Sequence, residues 1–403
     1  MQKRGVSDWG HAGVGDIHAM PIITIPRFLL SLLSLAILAG AIYLAWSWHE
    51  GYDVLYRDGS ARHFHGDAWR LYTAIGFGAW SFLGRFVVLM FFPAGKDNPR
   101  EERSEASKVS APDTSTLHVE ALGVRDGPTL ILTHGWGLNA TAWWYTKHAL
   151  ANRFRLVVWD LPGLGRSKPP KDGKLTIDRF AQALGAVVQS TGSDPIILVG
   201  HSIGGMTTQT FWRACPEDVR QRVVGMVLVD TTHEDPLRTM WLSSLWRALR
   251  WPVIEPMMWL TILLSPLVWL SSWQGYLSGS NQLAMRLTGF GRFATRGQVD
   301  FTARLACKGS PGIQAKGNLA MFRWKATEVL PTIQVPMLVL TGSKDIVTLP
   351  SASQQIAAAA RNVRLIEIEG AGHMGFMERN EAYNDAIAAF ATEVFAASRG
   401  SAA

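Results

Sequence analysis

A serine flanked by glycines, between an apolar run and a helical run, is the feature that most constrains this fold. The residues Val199-Gly200-His201-Ser202-Ile203-Gly204-Gly205 follow a short apolar run and precede a segment with a helical pattern. A sharp strand-to-helix turn holds such a serine exposed above a sheet, and it needs glycines because neighbouring side chains would collide. The first backbone N–H groups of the helix point to the position beside this serine, where they can stabilise a developing oxyanion. Ser202 is therefore predicted to be a nucleophile, and an ordinary tight turn is the alternative.

Two candidate partners of Ser202 follow buried strands further along the chain. An apolar run over 335–340 leads into Asp345, and a second over 363–368 leads into His373. Catalytic groups of open α/β sheets collect at the carboxyl ends of strands. The order Ser…Asp…His fits a nucleophile, an orienting acid and a general base.

Asp230 is the rival acid, because it follows the earlier strand over 223–229. The turn Gly342-x-x-Asp345, and the 28-residue separation of Asp345 from His373, favour Asp345. His134 and His201 are expected to have local structural roles. Glu378 is expected to tether the loop of His373 or to cap a helix.

Two further motifs lie upstream of Ser202. The sequence His134-Gly135-Trp136-Gly137 follows a strand, and Asp160-Leu161-Pro162-Gly163-Leu164-Gly165-Arg166-Ser167 follows another. With four motifs in this order, the region from about residue 113 to about residue 400 resembles the serine α/β-hydrolase family. The resemblance implies a mostly parallel sheet with helices on both faces and a helical cap insertion.

The resemblance also implies the role of each site residue. Ser202 attacks an ester-like carbonyl, His373 moves the proton and Asp345 orients the imidazole. The backbone N–H groups of Trp136 and Ile203 bind the oxyanion. No motif requires a cofactor or a metal ion. Cys215 and Cys307 show no metal-binding spacing, and we expect both to be free buried thiols.

The N-terminal part lies outside this resemblance and is strongly apolar. Residues 28–48 contain no charge, and 21 residues are long enough to cross a bilayer as a helix. A cleaved signal peptide is the alternative, but the run is too long and starts too late. Residues 71–93 carry only Arg85 and form the second candidate span, with an interfacial or re-entrant helix as the alternative. We therefore expect an integral membrane protein with two spans.

Basic residues around these segments indicate the orientation. The tail and the flanks carry seven, whereas the connecting loop carries three; they are Lys3, Arg4, Arg27, Lys96, Arg100, Arg103 and Lys108 against Arg57, Arg62 and Arg70. Basic residues favour the cytoplasmic side, so a cytoplasmic catalytic domain is predicted. The predicted order of regions is a membrane anchor over 1–93, a polar linker over 94–115, the hydrolase core over 116–232, a helical cap over 233–330 and the rest of the core over 331–403.

The predicted cap has an unusual composition. It contains eleven basic residues against five acidic ones, and seven tryptophans. Such a surface suits contact with anionic lipids, and the segment Trp246-Arg247…Arg250-Trp251 is the expected contact. A cap that only covers the pocket is the alternative. The chain has no nucleic-acid recognition motif, so we expect no such partner.

These observations predict a membrane-anchored serine hydrolase acting on a lipid or acyl ester. Two alternatives remain. One is an anchored hydrolase of a small soluble ester, thioester or carbon–carbon substrate. The other is a non-catalytic hydrolase-like module that binds membranes.

Overall fold

The computed structural model of the chain describes residues 21–400, and its side chains from residue 29 to residue 399. Lys3 and Arg4 of the charge asymmetry lie outside the described residues, as does the start of the predicted anchor. The described part begins with the helix α1 (Pro21–Glu50). A small antiparallel hairpin, β1 (Tyr52–Leu55) and β2 (Ala61–Phe64), connects it to the helix α2 (Ala68–Met90).

The two long helices pack against each other and are apolar. Leu29–Glu50 has a mean hydropathy of 2.1 and Ala68–Met90 of 1.5, and both are long enough to cross a membrane. Small side chains such as Ala41 and Ala74 are buried, whereas large ones such as Leu83 are exposed. A helix that is apolar on its exposed face is typical of a membrane environment.

Eight strands form one sheet in the remaining chain. They are β3 (Ala106–Ser110), β4 (Thr116–Gly123), β5 (Thr129–Thr133), β6 (Arg155–Trp159), β7 (Ile196–His201), β8 (Val223–Val229), β9 (Met337–Gly342) and β10 (Val363–Ile368). Their order across the sheet is β10-β9-β8-β7-β5-β6-β4-β3. Neighbours from β10 to β6 are parallel, and β4 and β3 add antiparallel pairs at one edge.

Helices cover both faces of this sheet, and others form an insertion between β8 and β9. They are α3 (Trp144–Leu150), α4 (Ile177–Ser190), α5 (Ile203–Ala214), α6 (Glu217–Arg220), α7 (Pro236–Thr239), α8 (Ser243–Leu249), α9 (Glu255–Leu263), α10 (Ser265–Leu277), α11 (Ser280–Thr288), α12 (Arg296–Lys308), α13 (Pro311–Met321), α14 (Pro350–Ala359), α15 (Gly375–Glu378) and α16 (Asn380–Gly400). Ile131 of β5 packs with the α4 and α5 side, while Leu130 and Leu132 pack with the α3 and α16 side. The central strands are continuous apolar runs because both of their faces are buried.

The segment predicted as a polar linker over 94–115 is partly ordered within the hydrolase core. The strand β3 lies in it and pairs with β4. The polar sequence of β3 did not predict a strand, because β3 lies at the sheet edge and its side chains are mostly exposed. Arg103 also folds inwards and forms ion pairs with the buried carboxylates of Glu120 at 2.8 Å and Asp160 at 3.0 Å.

The cap between β8 and β9 consists of the helices α7 to α13. Two of them, α10 and α11, pack against α1 and α2, which together form the N-terminal hairpin of helices. The expected membrane contact over Trp246-Arg247…Arg250-Trp251 stays a prediction. Arg247 and Trp251 are exposed, whereas Trp246 and Arg250 pack within the cap. Trp246 is 8% exposed, and Arg250 forms ion pairs with Asp235 and Glu255.

Candidate active site

Ser202 lies at the turn between β7 and α5, in the left-handed backbone region that few side chains adopt. Its φ is 53° and its ψ is −119°. A Cβ on Gly200 would lie 2.3 Å from the Gly204 carbonyl oxygen, and one on Gly204 would lie 2.3 Å from the Thr133 carbonyl oxygen. Both positions therefore require glycine. The tight turn places the Ser202 hydroxyl above the carboxyl edge of the sheet.

The structure brings Ser202, His373 and Asp345 together in one line of hydrogen bonds. The Nε2 atom of His373 is 3.1 Å from the Ser202 hydroxyl oxygen, and its Nδ1 is 2.9 Å from Asp345 Oδ2. All three side chains are buried. This is the arrangement in which an imidazole can take a proton from a hydroxyl while a carboxylate fixes its tautomer.

The Asp345 carboxylate is held by the turn that follows it. Its Oδ1 accepts hydrogen bonds from the backbone N–H groups of Val347 at 2.7 Å and Thr348 at 2.9 Å. The Thr348 hydroxyl donates to Oδ2 at 2.8 Å. Sequence reasoning missed Thr348, although an aspartate followed by such a turn is a recognised pattern of side-chain to backbone bonding.

Asp230 is close to this network but serves another purpose. Its Oδ1 accepts hydrogen bonds from the Gly342 N–H at 2.8 Å and the Tyr383 hydroxyl at 3.0 Å. Within the described residues no hydrogen bond joins Asp230 to His373. Burial, followed by the negative charge of Asp345, raises the pKa of Asp230 well above its ordinary value. These surroundings favour the neutral form of Asp230, and its hydrogen bonds tie β8 to β9 and α16.

His201 and Glu378 hold the loop that carries His373. The Nε2–H of His201 donates to the His373 carbonyl oxygen at 2.9 Å. Burial, followed by the proximity of His373, lowers the pKa of His201 well below its ordinary value, so this ring stays neutral. Glu378 accepts from the backbone N–H groups of Gly372 at 3.0 Å and Gly291 at 2.8 Å. Glu378 therefore links the histidine loop to the cap.

The two expected oxyanion donors belong to residues near Ser202. Ile203 is the first residue of α5, so its N–H has no acceptor within the helix. Trp136 lines the same cavity as Ser202, and its indole N–H donates to the Gln314 carbonyl oxygen of α13 at 2.9 Å. That bond fixes the loop of Trp136 against the cap.

His134 orders the neighbouring loop. Its Nδ1–H donates to the Gly135 carbonyl oxygen at 2.8 Å, and its Nε2 accepts from the Leu161 N–H at 3.0 Å. Both ring nitrogens are thus engaged, and burial lowers the pKa of His134.

A cavity of about 210 Å³ extends from Ser202 and His373 under the cap. Its wall is mostly apolar and includes Met257 and Met258 from α9. Ser31 of α1 also lines it, so the cavity reaches the N-terminal hairpin. Among the residues whose side chains the structure describes, no group of three or more His, Cys, Asp and Glu could hold a metal ion.

The family follows from comparison with known proteins. The sequence profile of the alpha/beta hydrolase family matches residues 130–386. The chain belongs to the alpha/beta hydrolase family. Its fold is therefore the predicted one, and the two apolar helices before it are candidate membrane spans.

Three similar proteins illustrate the range of the family. A pimeloyl-[acyl-carrier protein] methyl ester esterase of Sodalis glossinidius is 41% identical over 100 residues, which are 25% of this chain and 35% of that protein. The polyketide synthase ThaQ of Burkholderia thailandensis is 29% identical over 288 residues, which are 69% of this chain and 12% of that protein. The crystal structure of an esterase from Rhodococcus sp. ECU1013 has a TM-score of 0.58 at 20% identity and covers 72% of this chain and 99% of its own. The chain thus spans well under two thirds of both curated relatives.

Proposed function

We propose that this protein is a membrane-anchored serine hydrolase that cleaves a lipid or acyl ester through an acyl-enzyme intermediate. The observation that carries the proposal is the hydrogen-bonded line from Ser202 through His373 to Asp345, at the end of a largely apolar cavity. An apolar cavity with a few convergent polar groups is the usual form of a site for an apolar substrate. The esterase relative at 41% identity acts on a methyl ester of an acyl group, which agrees with this substrate class.

The proposed reaction has two halves. Ser202 Oγ attacks the ester carbonyl carbon while its proton passes to His373 Nε2, and the N–H groups of Trp136 and Ile203 hold the negative oxygen. The carbonyl reforms, the C–O bond to the alcohol breaks, and the imidazolium protonates the leaving alcohol. A water molecule then attacks the acyl-Ser202 ester in the same way and releases the acid. Asp345 fixes the imidazole orientation and stabilises its charge.

The proposed anchor consists of α1 and α2, with the catalytic domain on the cytoplasmic side. Its support is the length and hydropathy of both helices together with their exposed apolar side chains. Among the flanking basic residues, Arg103 counts less toward this orientation, because it forms ion pairs inside the catalytic domain.

Two other functions are distinguished by one activity survey. An anchored hydrolase of small soluble esters would be fastest on acetyl and butyryl esters, and a non-catalytic module would hydrolyse none. For the lipid hydrolase, we expect the full chain in vesicles to cleave p-nitrophenyl esters of eight or more acyl carbons fastest. Ser202→Ala and His373→Ala should each lose this turnover by several orders of magnitude, since the triad acts as a unit.

A further inference from the structure

The cap contains a long segment that is apolar and exposed. Residues 256–285 carry no charged side chain. The helix pair in this region bends by 99° between α9 and α10. Around the bend the large apolar side chains face outwards; they include Leu260, Leu263, Leu267 and Leu270, which are 52–76% exposed. A continuous exposed surface of this kind marks a contact with a membrane or a partner.

A hydrogen bond shows where along α2 the end of α10 lies. Gln274 of α10 donates to the Ser81 carbonyl oxygen of α2 at 3.1 Å. Ser81 lies nine residues before Met90, the last residue of α2. At 1.5 Å per residue this is about 13 Å, close to half of a hydrocarbon core of about 30 Å. If α2 crosses the bilayer, the end of α10 therefore lies inside one leaflet.

The contact between the cap and the candidate spans is close, and several hydrogen bonds cross it. A Cβ on Gly84 of α2 would lie 2.5 Å from the Ser278 carbonyl oxygen. Ser34 of α1 and Ser278 are hydrogen-bonded at 2.8 Å. Arg85, the single charged residue over 71–93, donates to the Tyr276 hydroxyl at 2.7 Å. The Tyr276 hydroxyl in turn donates to Asp300 at 3.1 Å. Tyr276 thus connects the positive charge of Arg85 to the negative charge of Asp300.

The active-site cavity borders the contact between α10 and α1. Its wall includes Ser271 and Ser272 of α10 as well as Ser31 of α1, which is 7% exposed. Ser31 is three residues into the uncharged run over 28–48 that follows Arg27, about 4.5 Å by helical rise. If α1 crosses the bilayer, the cavity therefore runs from Ser202 to the level at which acyl chains join their headgroups.

We propose that α9 and α10 form a third, re-entrant membrane element, and that the cavity opens sideways into the leaflet between α10 and α1. The occupant of the exposed face is the acyl chains of the bilayer, and a substrate chain enters from them without passing through water. Continuity of this face with α1 and α2, and the absence of charge over 256–285, favour lipid over a water-soluble partner. The inference rests on the proposed function for the substrate, but the insertion of the helices is independent of catalysis.

The first experiment locates α9 and α10 in the full chain. Single cysteines replace Leu263 and Leu267, carry a nitroxide label and are studied in vesicles of phosphatidylcholine and phosphatidylglycerol. Leu83→Cys on α2 and Val124→Cys on the loop after β4 serve as lipid-facing and water-facing controls, at 56% and 41% exposure. The native cysteines are buried, and the chain without an added cysteine gives the background. At positions 263 and 267, as at position 83, we expect oxygen to relax the nitroxide signal and a soluble nickel chelate to leave it unchanged.

Other accessibility results would overturn the insertion. Relaxation by the nickel chelate at both positions would place the helices in water. Protection from both reagents would mean that a protein surface, such as a second copy, covers them. Neither result depends on whether Ser202 is a nucleophile.

The second experiment tests the sideways opening. Ser31→Trp adds bulk where α1 lines the cavity, whereas Leu33→Trp places the same side chain at a position that is 56% exposed. We expect Ser31→Trp to reduce hydrolysis of a long-chain ester embedded in vesicles at least tenfold more than it reduces p-nitrophenyl acetate turnover. Leu33→Trp should change neither.

Fluorophosphonate labelling of Ser202 reports that each variant is folded. A labelled Ser31→Trp protein with equal losses on both esters, or with no loss, would overturn the sideways opening. Should this variant fail to fold, Ser31→Met adds a smaller flexible chain and is judged by the same ratio of rates. Absence of labelling in the wild type would instead overturn the proposed function and leave the nitroxide result standing.

Discussion

At the residue scale, two aspartates near the imidazole differ in what surrounds them. Asp345 receives hydrogen bonds from two backbone N–H groups, the Thr348 hydroxyl and His373. Asp230 receives two on one oxygen, and its other oxygen has no partner within the described residues. Sequence order left both candidates open, because each aspartate follows a strand. Only the turn after Asp345 directs a carboxylate to His373.

The two aspartates should therefore respond differently to the same substitution. Asp345→Asn keeps the shape but favours the wrong imidazole tautomer, which lowers kcat by about 10⁴ in the serine-protease case. Asp230→Asn keeps an acceptor oxygen for Gly342 and Tyr383 and should lower kcat less than tenfold. Ester turnover of the two purified variants is the measurement. Loss of turnover in Asp230→Asn alone would show that the assignment of the acid is wrong.

The raised pKa of Asp230 predicts a pH-dependent stability. Because its pKa is raised, Asp230 keeps its proton to a higher pH in the folded protein than in the unfolded chain, which releases it above a pH of about 3.9. Rising pH therefore stabilises the unfolded state, by at most about 1.4 kcal/mol per pH unit until the folded pKa is reached. Asp230→Asn lacks this effect, so its Tm relative to the wild type should rise between pH 5 and pH 7. A Tm difference that stays constant or falls over this range would mean that folded Asp230 is ionised.

At the element scale, apolar runs and glycine turns made the central strands and the elbow predictable. These features are local, because a buried strand must be apolar and a tight turn must lack side chains. The edge strand β3 was not predictable, since its exposed side chains are polar. The packing of α10 on α2 was not predictable either, because it depends on contacts such as Gln274 to Ser81 across 193 positions.

Two glycines of α2 provide a matched test of that packing. A Cβ on Gly84 would meet the Ser278 carbonyl oxygen at 2.5 Å, whereas one on Gly78 would meet nothing within 4 Å. Alanine normally stabilises a helix by about 0.5–1 kcal/mol relative to glycine. We expect Gly78→Ala to keep or raise the Tm in detergent and Gly84→Ala to lower it, because the backbone contact must open. Equal effects of the two substitutions would show that α2 and α10 are not in contact.

At the scale of the whole molecule, the helices α1 and α2, the cap and the active-site cavity are in contact with one another. Ser31 of α1 lines the cavity, and Arg85 of α2 reaches the cap through Tyr276. The composition of the cap indicated a membrane contact at the basic segment around Trp246, in which Trp246 is buried and Trp251 is exposed. A larger set of exposed apolar residues lies around the bend between α9 and α10. Charge alone could not locate the surface, because several basic residues of the cap are paired with carboxylates.

The central claim is that one chain is both anchored in a membrane and acylated at Ser202. Membranes containing the full chain are washed with alkaline carbonate, treated with a fluorophosphonate probe, separated into pellet and supernatant, and digested for mass spectrometry. We predict that the labelled chain is in the pellet and that the probe is on the peptide containing Ser202, with no labelling of Ser202→Ala. An intact labelled chain in the supernatant, or equal labelling of a folded Ser202→Ala protein, would contradict the account.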